Sequence, residues 1–142
     1  YFLGYRSKWF DETYDIIIYA VFVSLGFALF ENIIYVFSRG MTIGIIRAII
    51  SVPAHTCNAV FMGYLLSKAK VCFIKDDNIQ RQKYMILSVT IPTILHGLYD
   101  YLLFIKNDFF VLVFFVFVII LFISTINRIN IQVKENKKIT EN

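Results

Sequence analysis

Charge is scarce in this sequence. Asp, Glu, Lys and Arg make up 17% of its 142 residues, against about 25% in an ordinary soluble domain. The apolar share is 58%, and one core of this size could not hide that much apolar surface from water. A soluble globular class is therefore excluded, and a membrane class follows. Cysteine occurs twice, at Cys57 and Cys72. The first falls in an apolar stretch and the second in a charged link, which excludes a disulfide framework. Proline also occurs only twice, at Pro53 and Pro92, and both lie within apolar stretches. There is no internal repeat, no low-complexity tract and no soluble domain.

What the sequence does have is long apolar runs. Residues 16–37, 41–67, 84–105 and 109–126 reach, or nearly reach, the roughly 20 residues that cross a bilayer as a helix. The expected fold is all-α: a single polytopic membrane domain with four transmembrane helices. Ser38-Arg39-Gly40 and Lys106-Asn107-Asp108 are tight enough to make their flanking helices antiparallel neighbours, and Lys68–Lys83 forms a longer link. The first run is too long for the apolar region of a signal peptide, and no small-residue cleavage site follows it.

Basic residues set the orientation. Arg6 and Lys8, then Lys68, Lys70, Lys75, Arg81 and Lys83, then Arg128, Lys134, Lys137 and Lys138 fall on one side of a four-span topology. Only Arg39 and Lys106 fall on the other. The positive-inside rule makes the first side, with both chain ends and the polar tail 127–142, cytoplasmic. The net charge of +4 is accounted for by this bias and by anionic lipid, so the lipid bilayer is a partner and nucleic acid is not. Asn136–Asn142 is expected to fray.

The remaining polar residues are not scattered. Glu31 and Asn32 stand in the first span. A carboxylate there costs about 2.5–3.5 kcal/mol on insertion scales, so a partner, a cavity or a reaction must compensate. On the second span Arg47, Ser51, His55 and Asn58 share one helix face, and on the third Thr93, His96 and Asp100 do. Ser24 and Tyr35 complete a stripe on the first. At 1.5 Å per residue, Glu31, Arg47, Asp100, His96 and His55 lie about 9, 9, 8, 14 and 21 Å below the outer ends of their spans. A polar cavity opening outward fits them, with His55 nearer mid-membrane.

Each residue has a plain structural reading beside the chemical one. Glu31 and Arg47 fit a buried ion pair, and Arg47 cannot serve as a base. A membrane histidine is often a packing residue, but two histidines, each near a proline that frees a carbonyl, suit proton transfer or metal ligation. Asp100, one turn from His96, most simply orients it. Asn32 is an interhelical hydrogen-bonding group or an oxyanion donor. Tyr35, Tyr99 and Tyr101 read as interface aromatics. Gly40, Gly44 and Ala48, then Ala59, Gly63 and Ser67, make small-residue faces that permit close helix approach, and Gly26 and Ala28 are small as well. The fourth span, without a polar stripe, faces lipid.

Three motifs follow in order on successive spans. Gly26-Phe27-Ala28-Leu29-Phe30-Glu31-Asn32 with Tyr35 resembles the GFAxxEN motif of the PrsW family of bacterial intramembrane proteases. Arg47 with Pro53-Ala54-His55 and Gly63 resembles the family's second motif, and His96-Gly97-Leu98-Tyr99-Asp100 its third. The likeness runs from about residue 11 to residue 101. The family's EExxK motif, on a preceding helix, has no counterpart here. The chain, which opens on Tyr1, thus reads as an N-terminally truncated protease domain, whose water-activating carboxylate is Glu31 or lies upstream.

The resemblance implies a bacterial plasma-membrane protease with its site in the extracytoplasmic half. Its substrate would be a single-pass membrane protein, an anti-sigma factor, cut first at this site to release a sigma factor in a stress response. Catalytic roles fall to Glu31, His55 and His96, supported by Asn32, Arg47 and Asp100. The same Glu31, His55 and His96 are the candidate ligands should a divalent metal such as zinc take part. The rival classes are a small proton-coupled transporter or ion-conducting protein, built on the same ionisable groups, and a catalytically inactive scaffold.

Overall fold

A computed structural model describes residues 12–105 and 107–136. Among the described residues the architecture is four long helices: α1 (Asp15–Arg39), α2 (Met41–Ile74), α3 (Asn78–Phe104) and α4 (Asp108–Lys134). All four are long and apolar enough to cross a membrane, as the apolar runs predict. α2 is the hub. α1 packs on one side of it, α3 on another, and α4 lies over α2 and α3.

The helices outrun the apolar segments. The expected link Lys68–Lys83 shrinks to Lys75-Asp76-Asp77. Its Lys, Gln and Arg residues are good helix formers, so the helical ladder continues past the apolar limit. The turn is made where Asp76 adopts a positive φ of 56° and Asp77 caps α3 by accepting from the Gln80 amide at 3.0 Å. At 1.5 Å per residue the 34 residues of α2 reach about 50 Å, against about 30 Å of hydrocarbon.

The tail differs in the same way, since α4 stays helical to Lys134. There Arg128 stacks over Phe61 and Tyr64 at 4.9 and 5.0 Å, and Lys68 pairs with Glu135. Asn136 does not fray. Its side-chain oxygen accepts from the Tyr14 amide at 3.1 Å and the Thr13 hydroxyl at 3.2 Å, and its amide donates to Glu12 at 2.6 Å. The end of α4 thereby holds the start of α1. The rest of the expected fraying segment, residues 137–142, lies outside the described residues.

Gly40 turns α1 back on α2 with φ 90°, a conformation that L side chains avoid. The two helices then close on the small-residue face of α2. A Cβ at Gly63 would stand 2.6 Å from Ile17 Cα and 3.1 Å from the Ile16 carbonyl oxygen, so backbone meets backbone there. Ala59, Ser67 and Ala28 are buried with it. Gly26 is not part of a close approach: a Cβ there would meet nothing within 4 Å. α2 and α3 run through Pro53 and Pro92 without interruption.

On the opposite face of α2, Ala54 packs with Tyr99, Leu102 and Phe114. Cys57 and Phe61 pack with Leu121. Most of the Phe, Val and Ile side chains of α4 stay exposed, in keeping with a lipid-facing fourth span.

The two glycines predict opposite outcomes. Gly63→Val must push α1 away and should cost about 1–3 kcal/mol of overpacking. Gly26→Ala has room and should leave stability unchanged or raise it by up to about 1 kcal/mol. Thermal unfolding of detergent-solubilised protein measures both.

Candidate functional site

The polar stripes of α1, α2 and α3 meet. Glu31 uses both carboxylate oxygens: Oε1 accepts from Arg47 Nη2 at 3.1 Å, and Oε2 lies 3.0 Å from His55 Nε2. The His55 and His96 rings lie 5.0 Å apart, centroid to centroid. His96 Nε2 is 3.4 Å from Asp100 Oδ2, one turn along α3. The result is a connected row, Arg47–Glu31–His55–His96–Asp100, that crosses three helices.

Counting residues from the outer ends separates Glu31 from His55 by about 12 Å along the membrane normal, yet they touch. Side chains on a helix lean toward its N-terminus. α1 and α2 run in opposite directions, so Glu31 leans toward the start of α1 and His55 toward the start of α2, and the two lean toward each other. The long carboxylate and the ring close the gap. His55 is thus part of the same group as Glu31 rather than a separate residue deeper in its span.

The surroundings hold this row in place. Asn32 donates from Nδ2 to the Gly44 carbonyl at 3.1 Å, which makes it an interhelical tie. Ser24 donates to the backbone carbonyl of His55 at 3.0 Å. The Tyr35 ring lies 3.7 Å beneath the Arg47 guanidinium, a cation–π contact, so Tyr35 is more than an interface aromatic. Phe27 meets the His55 ring edge-on at 5.8 Å. Ser51 and Tyr99 share a hydrogen bond of 3.3 Å. Tyr99 is 3% exposed, so it is a core residue and not the interface aromatic that its position near the outer end suggests. Tyr101, by contrast, is exposed. Asn58, the innermost residue of the α2 stripe, is buried outside this row, and Thr93 turns its hydroxyl back to the Val89 carbonyl.

Burial is greatest at His55, in the middle of the row, and falls off from there through His96 to Asp100. His55 is 7% exposed, the Glu31 side chain 27% and the Asp100 side chain 49%. The open end lies between α1 and α3, which flank α2 rather than packing on each other. Such a row can hold a carboxylate ionised, carry a proton between two imidazoles, and offer donors to an oxygen that gains charge.

The donors are of the kinds a zinc ion takes, but their arrangement does not converge. Among the described residues no three His, Cys, Asp or Glu side chains form a ligand set. Both histidine Nε2 atoms are turned to carboxylates, one to Glu31 and one to Asp100.

Arg47→Met strips Glu31 of a charged partner and should cost about 1.5–3 kcal/mol. Adding Glu31→Gln removes the stranded charge, so the double variant should lose less than the two single losses added together. A double-mutant cycle on unfolding free energy reads the coupling.

Comparison with known proteins agrees with the motifs. The PrsW-protease family model, described as PrsW family intramembrane metalloprotease, matches residues 1–125. A protease PrsW of Clostridioides difficile (strain 630) is 38% identical over 138 residues, covering 94% of this chain and 57% of the relative. A protease PrsW of Halalkalibacterium halodurans is 34% identical over 131 residues, covering 92% of this chain and 59% of the relative. A protease PrsW of Bacillus subtilis (strain 168) is 42% identical over 99 residues, covering 70% and 44%. The chain thus spans about half the length of these curated relatives. No solved structure matches.

Proposed function

The chain belongs to the PrsW family of intramembrane metalloproteases, and from that premise we propose that Glu31, His55 and His96 form the catalytic row of a peptidase acting on a membrane-anchored protein. The observation that carries the proposal is the contact of the Glu31 carboxylate with the His55 ring, with the His96 ring 5.0 Å beyond. Three helices converge there on groups a bilayer would otherwise exclude.

Peptide hydrolysis needs a water deprotonated, an oxyanion stabilised and an amine protonated. The Glu31–His55 pair takes the proton of the attacking water, since each carboxylate oxygen keeps a second lone pair beyond its contact. The proton then passes from the His55 side of the row to His96, which gives it to the leaving amine. Asp100 holds the tautomer of His96. Arg47 balances the charge of Glu31, and Asn32 fixes α1 against α2 at the level of the site.

The substrate fitting this row is a single-pass membrane protein whose scissile bond lies toward the extracytoplasmic face. By family resemblance it is an anti-sigma factor receiving its first cut, with release of a sigma factor and a stress response to follow. The chain would act as one membrane domain of a bacterial plasma membrane, with residues 12–15 and the end of α4 cytoplasmic. The supporting observation is the clustering of basic residues at that end.

A metal-dependent reading of the same donors is favoured by the family's description as metalloproteases. A divalent ion such as zinc would draw on Glu31, His55 and His96. Elemental analysis of full-length protein decides it. Bound zinc that is lost in each of the three alanine variants supports the reading, and fully active metal-free protein removes it.

In the full-length protein, Glu31→Ala, His55→Ala and His96→Ala should each lower cleavage of a tethered substrate by about 100-fold or more. Wild-type cleavage by all three would sink the proposal. Proton flux in vesicles without cleavage would favour transport, and substrate binding without either would favour a scaffold. In a variant with Cys57 and Cys72 replaced by Ala, impermeant thiol reagents should label a cysteine placed at Ser38 from outside the cell and one placed at Asp77 only after lysis.

A further inference from the structure

We infer that Tyr99 is a positioning residue of this site, because its hydroxyl and that of Ser51 form the strut that sets the spacing of His55 and His96. The inference rests on the reading of the two histidines as a working pair. Ser51 lies one turn before His55 on α2, and Tyr99 lies three residues after His96 on α3, so the strut joins the two helices beside the rings. The hydroxyls are 3.3 Å apart, and their residues are 6% and 3% exposed. Neither has water as an easy alternative partner, and losing one hydroxyl strands the other.

The strut is also held from outside. Tyr99 packs its ring against Phe114 in a T-shaped contact at 5.2 Å, within the apolar cluster that includes Ala54 and Leu102. α4 thus seats the ring, the ring places the hydroxyl, and the hydroxyl fixes the α2–α3 register. Neither hydroxyl lies within the row from Arg47 to Asp100, so neither moves a proton in the reaction described above. Their effect passes through the positions of His55 and His96.

Tyr99→Phe deletes only the oxygen and keeps the ring on Phe114. Ser51→Ala deletes the partner. Ring 15N signals of His55 and His96, assigned by their loss in His55→Ala and His96→Ala, report position without requiring activity. Tyr99→Phe and Ser51→Ala should each move both ring signals in the same direction, and the double variant should add nothing. Cleavage by full-length protein should show kcat lowered roughly ten- to hundredfold, the range expected for a misplacement of up to about 1 Å, with KM within about twofold.

Unmoved ring signals in either single variant overturn the inference, whatever happens to cleavage. Signals that lose intensity without moving also overturn it, because they show a smaller folded fraction rather than displaced rings. Moved signals in a protein whose wild type does not cleave leave the strut standing and remove the peptidase reading.

Discussion

The structure depends on keeping the Glu31 carboxylate inside a membrane-spanning helix. Insertion of such a charge costs about 2.5–3.5 kcal/mol. Two charge-assisted contacts, from Arg47 and His55 at 3.1 and 3.0 Å, are each worth about 1.5–3 kcal/mol, enough to offset it. Neither contact exists unless α1 and α2 lie close and in register. Gly40 provides the reversal, and Gly63 lets the backbones meet near the other end. The Asn32–Gly44 and Ser24–His55 hydrogen bonds pin the register between them. Packing of small residues and compensation of charge therefore act as one constraint.

Most of the fold was legible because a bilayer permits few solutions. Apolar runs of sufficient length with short charged links give helices and their directions. The polar stripes were legible too, since i, i+3 and i+4 spacing puts residues on one face wherever a helix forms. Helix ends were not. Residues 68–74 and 127–134 carry charges that end an apolar run without ending a helix, and hydropathy responds only to the first. The ties of Asn136 to Glu12, Thr13 and Tyr14 join positions more than 120 apart, which no local pattern encodes.

The candidate row was legible as a set of polar residues and not as a geometry. Glu31, Arg47, His55, His96 and Asp100 all stand in the row. The meeting of Glu31 with His55 depends on side-chain lean in antiparallel helices, and counting Cα rises omits that lean. Tyr99 shows the reverse error. Tyrosines near a span's outer end are commonly anchors at the membrane surface, but this one is turned onto Phe114 and Ser51. The signal available was its spacing from Leu102 and Leu95, which places it on the apolar face of α3 that α4 covers.

α2 organises the site at which the proposed chemistry would occur. It presents a small-residue face to α1, an apolar face to α4, and its polar stripe to the gap between α1 and α3. A site on a helix packed on every side would have no room for a peptide, and one on a lipid-facing helix would lose its donors' orientation. Because α1 and α3 flank α2 without closing on each other, His55 is held among Ser24, Phe27 and Glu31 of α1 while Glu31, His96 and Asp100 stay partly open. The positions are set by neighbours outside the row: Tyr35 under Arg47, Ser24 on the His55 carbonyl, and Tyr99 with Ser51. Rigidity on the buried side and access on the other are what the proposed reaction on a membrane-anchored chain would require.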